Sequence, residues 1–201
     1  AELVAGMGDG YTGFWADLDC GPGPVTAFRF DMDCNEVAEC AEESHRPVRE
    51  GFASRWPGLM HACGHDGHAA VGLGLAEVLV SIRRHLRGRI RLIFQPAEEG
   101  ARGALPMSEA GAVDGVDVLF GFHIGFKAEG PGSLICGTQG FLATTKRDVL
   151  FSGVPAHAGA APEEGKDALL AACSAVVNLH AISRNGKGGT RIAVGRLEGG
   201  E

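Results

Sequence analysis

The densest group of reactive side chains lies in residues 60–68, whose sequence is MHACGHDGH. Three histidines and one cysteine fall within this stretch, directly ahead of a segment with helical periodicity. Imidazole and thiolate are ligands that zinc and related divalent ions prefer. Cys63 and His65 are two positions apart in a loop bracketed by glycines, so an extended backbone brings both to one ion. One histidine alone is more often structural, but this cluster favours a metal site over a histidine-rich surface loop.

A second reactive group is the pair of adjacent carboxylates, Glu98 and Glu99, within residues 94–100 (FQPAEEG). Adjacent carboxylates by themselves more often form a solvated turn than a functional site. Their position favours function, because they directly follow an apolar strand. Ligand sites in open α/β sheets lie at the carboxyl ends of the strands.

The same rule brings further side chains to that edge of the predicted sheet. Asp31 and Asp33 follow the predicted strand that ends at Phe30, and His123 follows the one that ends at Phe122. The histidine-rich loop leads into a helix and therefore lies on the same edge. The sequence thus predicts a metal site there, with one ion or with two ions bridged by a carboxylate or a shared water.

Two other motifs suggest different chemistry and are disfavoured. Residues 8–13 match the pattern GxGxxG, but they precede a strand and open no helix, so a dinucleotide site is not expected. A cysteine near a histidine is also the pattern of a thiol nucleophile, but the three histidines and two glutamates expected around Cys63 favour a ligand. His157, in the sequence AHAG at 156–159, is not marked as functional by its residue type alone.

Alternating strands and helices predict the scaffold that positions these side chains. The predicted strands are Tyr11–Leu18, Val25–Phe30, Arg89–Phe94 and Val116–Phe122, and the predicted helices are Ala69–Leu86 and Arg102–Ala110. This order is typical of an α/β fold with a mostly parallel sheet. The polar stretch from 31 to 67 lacks apolar periodicity, and a loop of that length is usually functional.

The sequence pattern changes near Thr144, which predicts a second domain. A strand at Asp148–Phe151, a helix at Asp167–Ile182 and a strand at Arg191–Leu197 form one predicted βαβ unit. Since one such unit is a poor domain by itself, we expect the chain to stop inside this second domain. The predicted domains are therefore 1–143 and 144–201, both incomplete.

Composition and charge exclude several classes of protein. The 18 basic and 25 acidic residues give a net charge of −7, which argues against a nucleic-acid partner. No apolar run reaches the roughly 18 residues of a membrane span, so no membrane partner is expected. The six cysteines form no CxxC pair, which predicts free thiols in a reducing, cytoplasmic environment.

Residues 61–68 and 95–100 together resemble the metal-dependent N-acyl-amino-acid amidohydrolases. They are most similar to the branch that holds hippurate, auxin-conjugate and aminobenzoyl-glutamate hydrolases. The resemblance extends through further stretches over most of the chain, namely 28–33, 121–124 and 156–159. Within the branch, three more stretches most resemble the aminobenzoyl-glutamate hydrolases: 33–37, 49–54 and 141–146.

The resemblance implies a role for seven residues of this sequence. Four match metal ligands of the family: Cys63, His65, Glu99 and His123. Glu98 matches the general base that activates water. Asp33 matches an acidic residue that supports the ligands, and His157 matches a lid-domain histidine that contacts substrate, often across a dimer.

The resemblance also implies a fold, a reaction and partners. The expected fold is a metallopeptidase-type α/β catalytic domain (here 1–143) with an inserted ferredoxin-like α+β lid and dimerisation domain that begins at 144. The expected cofactor is a divalent metal, Mn²⁺ or Zn²⁺, as two ions. The expected reaction is hydrolysis of the amide bond of a small N-acyl or N-aroyl amino acid such as p-aminobenzoyl-glutamate. A homodimer, or a hetero-oligomer with a related subunit, is the expected assembly.

A non-catalytic role is kept as the alternative. In the family a further metal-binding histidine lies in a part that would follow Glu201, so residues 1–201 alone are expected to be inactive. Such a chain could serve only to bind metal or to dimerise. Glu98 separates the two interpretations, because a pure binding site needs no second carboxylate beside the ligand.

Overall fold

A computed structural model describes residues 2–3, 12–125, 130–137, 143–183, 186 and 188–200. It divides into two compact units, Ala1–Gly137 and Thr138–Glu201. The predicted domains, 1–143 and 144–201, are defined by a change in sequence pattern and by expected function, whereas these units are defined by compactness. The predicted domains therefore stay predictions.

The first unit is built on one sheet with the strand order β1-β2-β4-β3-β5. The strands are β1 (Glu2–Leu3), β2 (Phe14–Asp19), β3 (Val25–Asp31), β4 (Arg89–Gln95) and β5 (Val118–Gly121). β3 runs parallel to β4 and to β5, whereas β2 pairs antiparallel with β4 and with β1. Apart from the two-residue β1, two of the three strand pairs are parallel, so the predicted α/β class with a mostly parallel sheet is confirmed.

β4 lies in the interior of the sheet and is buried over all but its first residue. Ile90 and the run Leu92–Phe94 are apolar, as is typical of a strand covered on both faces, and Arg91 is buried among them. On one face Phe30 and Phe94 pack with Leu79, and on the other Trp15 packs with Ile93. These two clusters fix the carboxyl ends of β3 and β4, where the candidate site begins.

Helix α2 (His65–Ser81) packs on the sheet and begins four residues before the predicted Ala69. Gly64 precedes it with φ 84°, a left-handed conformation that glycine adopts without steric cost. The helix also ends earlier than predicted, and a short 3₁₀ helix, Arg83–His85, follows it. The early start places both His65 and His68 in the first turn of α2.

Between β3 and the start of α2, the long polar stretch predicted to be irregular contains a single helical turn, α1 (Arg46–Arg49). Its two ends are joined by an isolated bridge between Asn35 and Met60. Within the loop, the Glu39 carboxylate accepts a hydrogen bond from the backbone N–H of Ser54. The loop therefore starts and ends beside the candidate site, since the Asn35 side chain also accepts the N–H of Cys63 at 3.2 Å.

The remaining helices are shorter than predicted. Helix α3 (Ala104–Glu109) lies inside the predicted 102–110, and α4 (Ala168–His180) lies inside the predicted 167–182. The Asp167 side chain accepts the N–H of Leu170 and so caps α4.

The two strands predicted in the second unit do not form. Residues 148–151 and 191–197 have no strand structure, and Val149 and Leu150 are 70% and 90% exposed. In the described part of this unit, the one β-type pairing is an isolated bridge between Val154 and Lys166. A strand needs a neighbouring strand to satisfy its backbone groups, and neither segment is paired as a strand among the described residues.

Two composition-based expectations can be compared with the structure. All six cysteines are free thiols, as predicted. Among the residues that the structure describes, no helix combines the length and the apolar character that crossing a membrane requires. The GxGxxG match at 8–13 lies mostly outside the described residues.

Candidate metal centre

Reactive side chains converge at one edge of the sheet, as the sequence predicts. β3 and β4 end in register at Asp31 and Gln95, and β5 ends nearby at Gly121. The residues just beyond these ends meet the first turn of α2. The side chains brought together are Asp31, Asp33, Cys63, His65, His68, Glu98, Glu99 and His123.

His65 lies at the centre of this group and is fully buried. Its Nδ1 lies 3.0 Å from Asp33 Oδ1, and because a carboxylate only accepts, Nδ1 carries the proton. In the neutral ring Nε2 then carries the lone pair, and this atom is buried and has no hydrogen-bond partner among the described residues. A buried polar atom without a hydrogen-bond partner costs free energy, so we expect this nitrogen to bind a ligand.

The groups around His65 have the chemistry of a metal site. Three sets of side chains have donor atoms within 4.8 Å of one another, and His65 belongs to each: Cys63–His65–His123, His65–Glu98–Glu99 and Asp31–His65–His68. Thiolate, imidazole and carboxylate together suit zinc or manganese. The residues present therefore fit a divalent ion, and the four predicted ligands all occur in the first two sets.

Cys63 has the environment of a thiol that would need a cation to ionise. Its Sγ lies 3.4 Å from His123 Nε2. Burial raises the pKa of the thiol to about 11, and a hydrogen bond to Glu99 and the negative charges of Glu99, Glu98 and Asp31 add to this rise. A nearby dication reverses that balance and favours the thiolate, so binding of metal would release the proton of Cys63.

Asp33 joins three parts of the site. Its Oδ1 accepts from His65, and its Oδ2 accepts the backbone N–H of Glu99 at 3.0 Å. Its backbone oxygen lies 2.9 Å from Nδ1 of His61. An acidic residue that orients a ligand histidine in this way raises the basicity of that histidine. Asp33 is therefore in a position to do what the sequence predicted for it.

The two adjacent glutamates lie in a tight turn with strained backbone. Ala97 and Ala101, on either side of them, both have φ of 52°. Such left-handed residues cost of order 1–3 kcal/mol and tend to cluster at functional sites. Glu98 Oε2 lies 3.9 Å from His65 Nε2 with its side chain 40% exposed, whereas Glu99 bonds to the Cys63 thiol. The assignment of one as base and the other as ligand stays a prediction.

The sequence placed two further buried residues, Asp31 and His68, at the predicted site without a specific role. Asp31 is bonded by His68 Nδ1 and, at 2.5 Å, by Arg29. Burial pushes the pKa of Asp31 up, but the His68 hydrogen bond and the charge of Arg29 outweigh it, so its pKa is lower than usual. On the other side of its ring, His68 accepts the N–H of Ile124. The available signal was spacing, because His68 follows His65 by three residues on one helix face.

His157 belongs to the second unit, where it is exposed. Its Nδ1 accepts the backbone N–H groups of Gly159 and Ala160, both at 3.1 Å. The ring thus stabilises the local turn through one nitrogen. Its proposed contact with substrate stays a prediction.

Comparison with known proteins gives a consistent result. The model of a family described as "Peptidase family M20/M25/M40" matches residues 27–194. The chain is 52% identical over its whole length to a subunit of p-aminobenzoyl-glutamate hydrolase from Escherichia coli K12, covering 46% of that protein. It is 54% identical to indole-3-acetyl-aspartic acid hydrolase of Enterobacter agglomerans, over 95% of this chain and 44% of that one.

A solved structure agrees with these matches. The aminobenzoyl-glutamate utilization protein of Klebsiella pneumoniae superposes with a TM-score of 0.68 at 45% identity, covering 94% of this chain and 41% of that one. The chain therefore spans less than half the length of the relatives it matches.

Proposed function

This chain belongs to the peptidase family M20/M25/M40, and from that premise we propose that the whole protein is a metal-dependent amidohydrolase. It would cleave the amide bond of an N-acyl or N-aroyl amino acid. One observation carries the proposal. His65 Nε2 is buried without a partner among the described residues, 3.9 Å from the carboxylate of Glu98, in the same cluster as Cys63, Glu99 and His123.

Metal binding is assigned to Cys63, His65, Glu99 and His123. A divalent ion held there would supply Lewis-acid chemistry, polarising an amide carbonyl and lowering the pKa of bound water toward about 7. Asp33 keeps the proton of His65 on Nδ1, so that Nε2 faces the cluster. The thiolate ligand favours zinc and the carboxylates suit manganese, so either ion, as a pair, is proposed.

Glu98 is proposed as the general base. It would take a proton from the attacking water and deliver that proton to the nitrogen of the leaving amine. Proton transfer of this kind typically contributes about 10²- to 10⁴-fold in rate. Its partial exposure and its distance of 3.9 Å from His65 Nε2 allow it to reach both water and the candidate centre. His157 would bind the oxyanion that develops on the carbonyl oxygen.

The substrate class is proposed from the relatives. Their names give p-aminobenzoyl-glutamate for one and indole-3-acetyl-aspartic acid for the other. Both molecules join an aromatic acyl group to an acidic amino acid. We therefore propose aromatic acyl conjugates of glutamate or aspartate as substrates. Cytoplasmic location, and assembly as a homodimer or with a related subunit, belong to the same proposal.

The test is an assay of the full-length protein with manganese and zinc in parallel. The substrates are p-aminobenzoyl-glutamate, indole-3-acetyl-aspartate, hippurate and simple N-acetyl amino acids. The proposal expects turnover of the first two that depends on metal and is lost in Glu98→Gln. Stoichiometric metal binding without turnover of any substrate would favour the alternative, a module that only binds metal or dimerises.

A further inference from the structure

A chain of hydrogen bonds leads from the sheet to the candidate ligand His123 through the ring of His68. Asp31, the last residue of β3, accepts from His68 Nδ1 and pairs with Arg29. On the opposite side of the ring, the backbone N–H of Ile124 donates to His68 Nε2 at 2.9 Å. The carbonyl oxygen of Ile124 lies 2.8 Å from Nδ1 of His123. Ile124 therefore connects the two histidine rings.

These contacts determine which nitrogen of His68 donates a hydrogen bond and which accepts one. A backbone N–H can only donate, so Nε2 of His68 must offer a lone pair, and the ring proton sits on Nδ1 facing Asp31. Both ring nitrogens are then occupied. Although His68 lies in a possible metal-binding set with Asp31 and His65, it has no lone pair left for an ion.

The packing around His68 holds this arrangement in place. His68 and Asp31 are 0% and 1% exposed, so breaking their hydrogen bond would leave buried polar groups unpaired. The His68 ring also contacts His123 directly, with ring centroids 4.6 Å apart. Ile124 lies against the start of α2, where a Cβ at Gly67 would come within 2.6 Å of Ile124 Cδ1. The segment carrying His123 is thus pressed onto the helix that carries His68.

We propose that His68 is a positioning residue of the metal centre and not one of its ligands. Its ring, held by Asp31, accepts the N–H of Ile124 and so positions that residue, and the carbonyl of Ile124 accepts from Nδ1 of His123. His123 then directs its Nε2 toward Cys63. The inference rests on the proposed function only in assuming a metal ion at this site. Partners that orient a metal ligand typically contribute 10- to 100-fold in affinity, roughly the effect expected here.

Two substitutions of His68 by an amide side chain test whether its hydrogen bond to Ile124 matters or whether it only fills space. In His68→Gln, the side-chain oxygen can take the place of Nε2 and accept from Ile124. In His68→Asn, the shorter amide can donate to Asp31 but does not reach Ile124. His85→Gln, at an exposed histidine of the short 3₁₀ helix, is the matched control.

The measurement is the affinity of the full-length protein for Mn²⁺ and Zn²⁺ by chelator competition, without substrate. We expect a loss of about 10- to 100-fold for His68→Asn, less than about tenfold for His68→Gln, and none for the control. Equal losses in both His68 variants, or no loss in either, would overturn the proposal. Metal affinity is measured here without substrate. If the separate assay found no amidohydrolase activity, the proposed function would be rejected, but the ranking of these affinities would stand.

A second measurement needs no variant and covers the case in which these variants fail to fold. The ¹⁵N shifts of the imidazole nitrogens in the metal-free full-length protein report which nitrogen carries the proton. We expect His68 to be protonated on Nδ1 and unprotonated on Nε2. A proton on Nε2 would exclude the hydrogen bond from Ile124 and overturn the proposal.

Discussion

His65 and His68 stack one helical turn apart, with ring centroids 5.2 Å apart, but their Nε2 atoms have opposite surroundings. Nε2 of His68 accepts the N–H of Ile124, whereas Nε2 of His65 is buried without a partner among the described residues. In each ring Nδ1 donates a hydrogen bond to an aspartate. His65 donates to Asp33, which closely follows β3, and His68 donates to Asp31, the last residue of β3. The two histidines therefore differ in what Nε2 can bind: that of His65 is available to an ion, whereas that of His68 already binds the backbone.

The close approach of α2 to the sheet predicts the effect of adding one methyl group. A Cβ at Gly72 would lie 2.8 Å from the Phe94 ring and 2.9 Å from that of Phe30, both in the core. Gly72→Ala is therefore expected to lower the free energy of unfolding by about 1–3 kcal/mol, the usual cost of overpacking. Urea unfolding of the full-length protein measures the change.

Gly74 in the same helix provides the matched control. It is exposed, and a Cβ there meets nothing within 4 Å. Gly74→Ala should stabilise the protein by about 0.5–1 kcal/mol, because alanine restricts the unfolded chain and favours the helix. If Gly72→Ala stabilises the protein as Gly74→Ala does, the close contact of α2 with β3 and β4 is wrong.

The ion pair of Asp17 with Arg91 predicts a pH-dependent contribution to stability. Arg91 donates to both carboxylate oxygens of Asp17, at 2.7 and 2.8 Å, and also to the backbone oxygen of Ala112. The hydrogen bond from Arg91, with smaller effects of its charge and that of Arg89, holds the pKa of Asp17 below its usual 3.8. Asp17→Asn should lower the free energy of unfolding at pH 7 by about 1.5–3 kcal/mol.

The sign of this effect follows from linkage. Because the folded pKa is depressed, the contribution is complete above the unfolded pKa and is lost as pH falls through the folded pKa. The difference between wild type and Asp17→Asn should therefore shrink below pH 3.8. Glu77→Gln, at an exposed position of α2, is the control and should change the free energy of unfolding at pH 7 by less than about 0.5 kcal/mol. A difference that stays constant with pH would contradict the assigned role of the pair.

The position of the site could be predicted because it follows from chain direction. Parallel strands end on one edge, so residues just beyond Phe30 and Phe94 had to meet there, and the carboxylates of Asp33 and Glu98 do lie around His65. The start of α2 was predicted too late, because Gly64 was interpreted as part of a loop. In the structure its left-handed backbone leads directly into the helix.

The roles of Asp31 and His68 could not be predicted from sequence. By type, each is as suited to a metal as its neighbours Asp33 and His65. The two histidines differ because Nε2 of His68 accepts a backbone N–H, and this contact joins positions 68 and 124, which are far apart in the sequence. The predicted strand at 148–151 failed for a related reason, since strand pairing depends on partners far along the chain.

Removal of the candidate thiolate tests the ligand set. Cys63→Ser replaces a thiolate by a neutral hydroxyl and should weaken zinc binding by more than about 100-fold, beyond the range for residues that only orient a ligand. Isothermal calorimetry of the full-length protein measures affinity and stoichiometry. Cys40→Ser, at an exposed free cysteine, is the control and should bind like wild type. Unchanged affinity in Cys63→Ser would remove Cys63 from the ligand set.

The adjacent glutamates are expected to fail in different ways. Glu98→Gln keeps the size of the side chain but removes its basic oxygen, so turnover should fall by at least about 10²-fold with metal content unchanged. Glu99→Gln removes the charge of a proposed ligand that bonds to the Cys63 thiol, and the variant should lose metal first and activity as a consequence. Metal analysis of both purified variants, beside their kcat values, distinguishes the two roles.

Geometry supports this division as much as chemistry does. The backbone N–H of Glu99 is bonded to Asp33, which also accepts from His65, so one aspartate links Glu99 to the proposed ligand His65. Glu98 precedes that anchor and keeps its side chain 40% exposed, where water can reach it. Excess manganese or zinc should therefore restore part of the activity of Glu99→Gln and none of that of Glu98→Gln. Rescue of both variants by added metal, or equal metal loss in both, would show that the two carboxylates share one role.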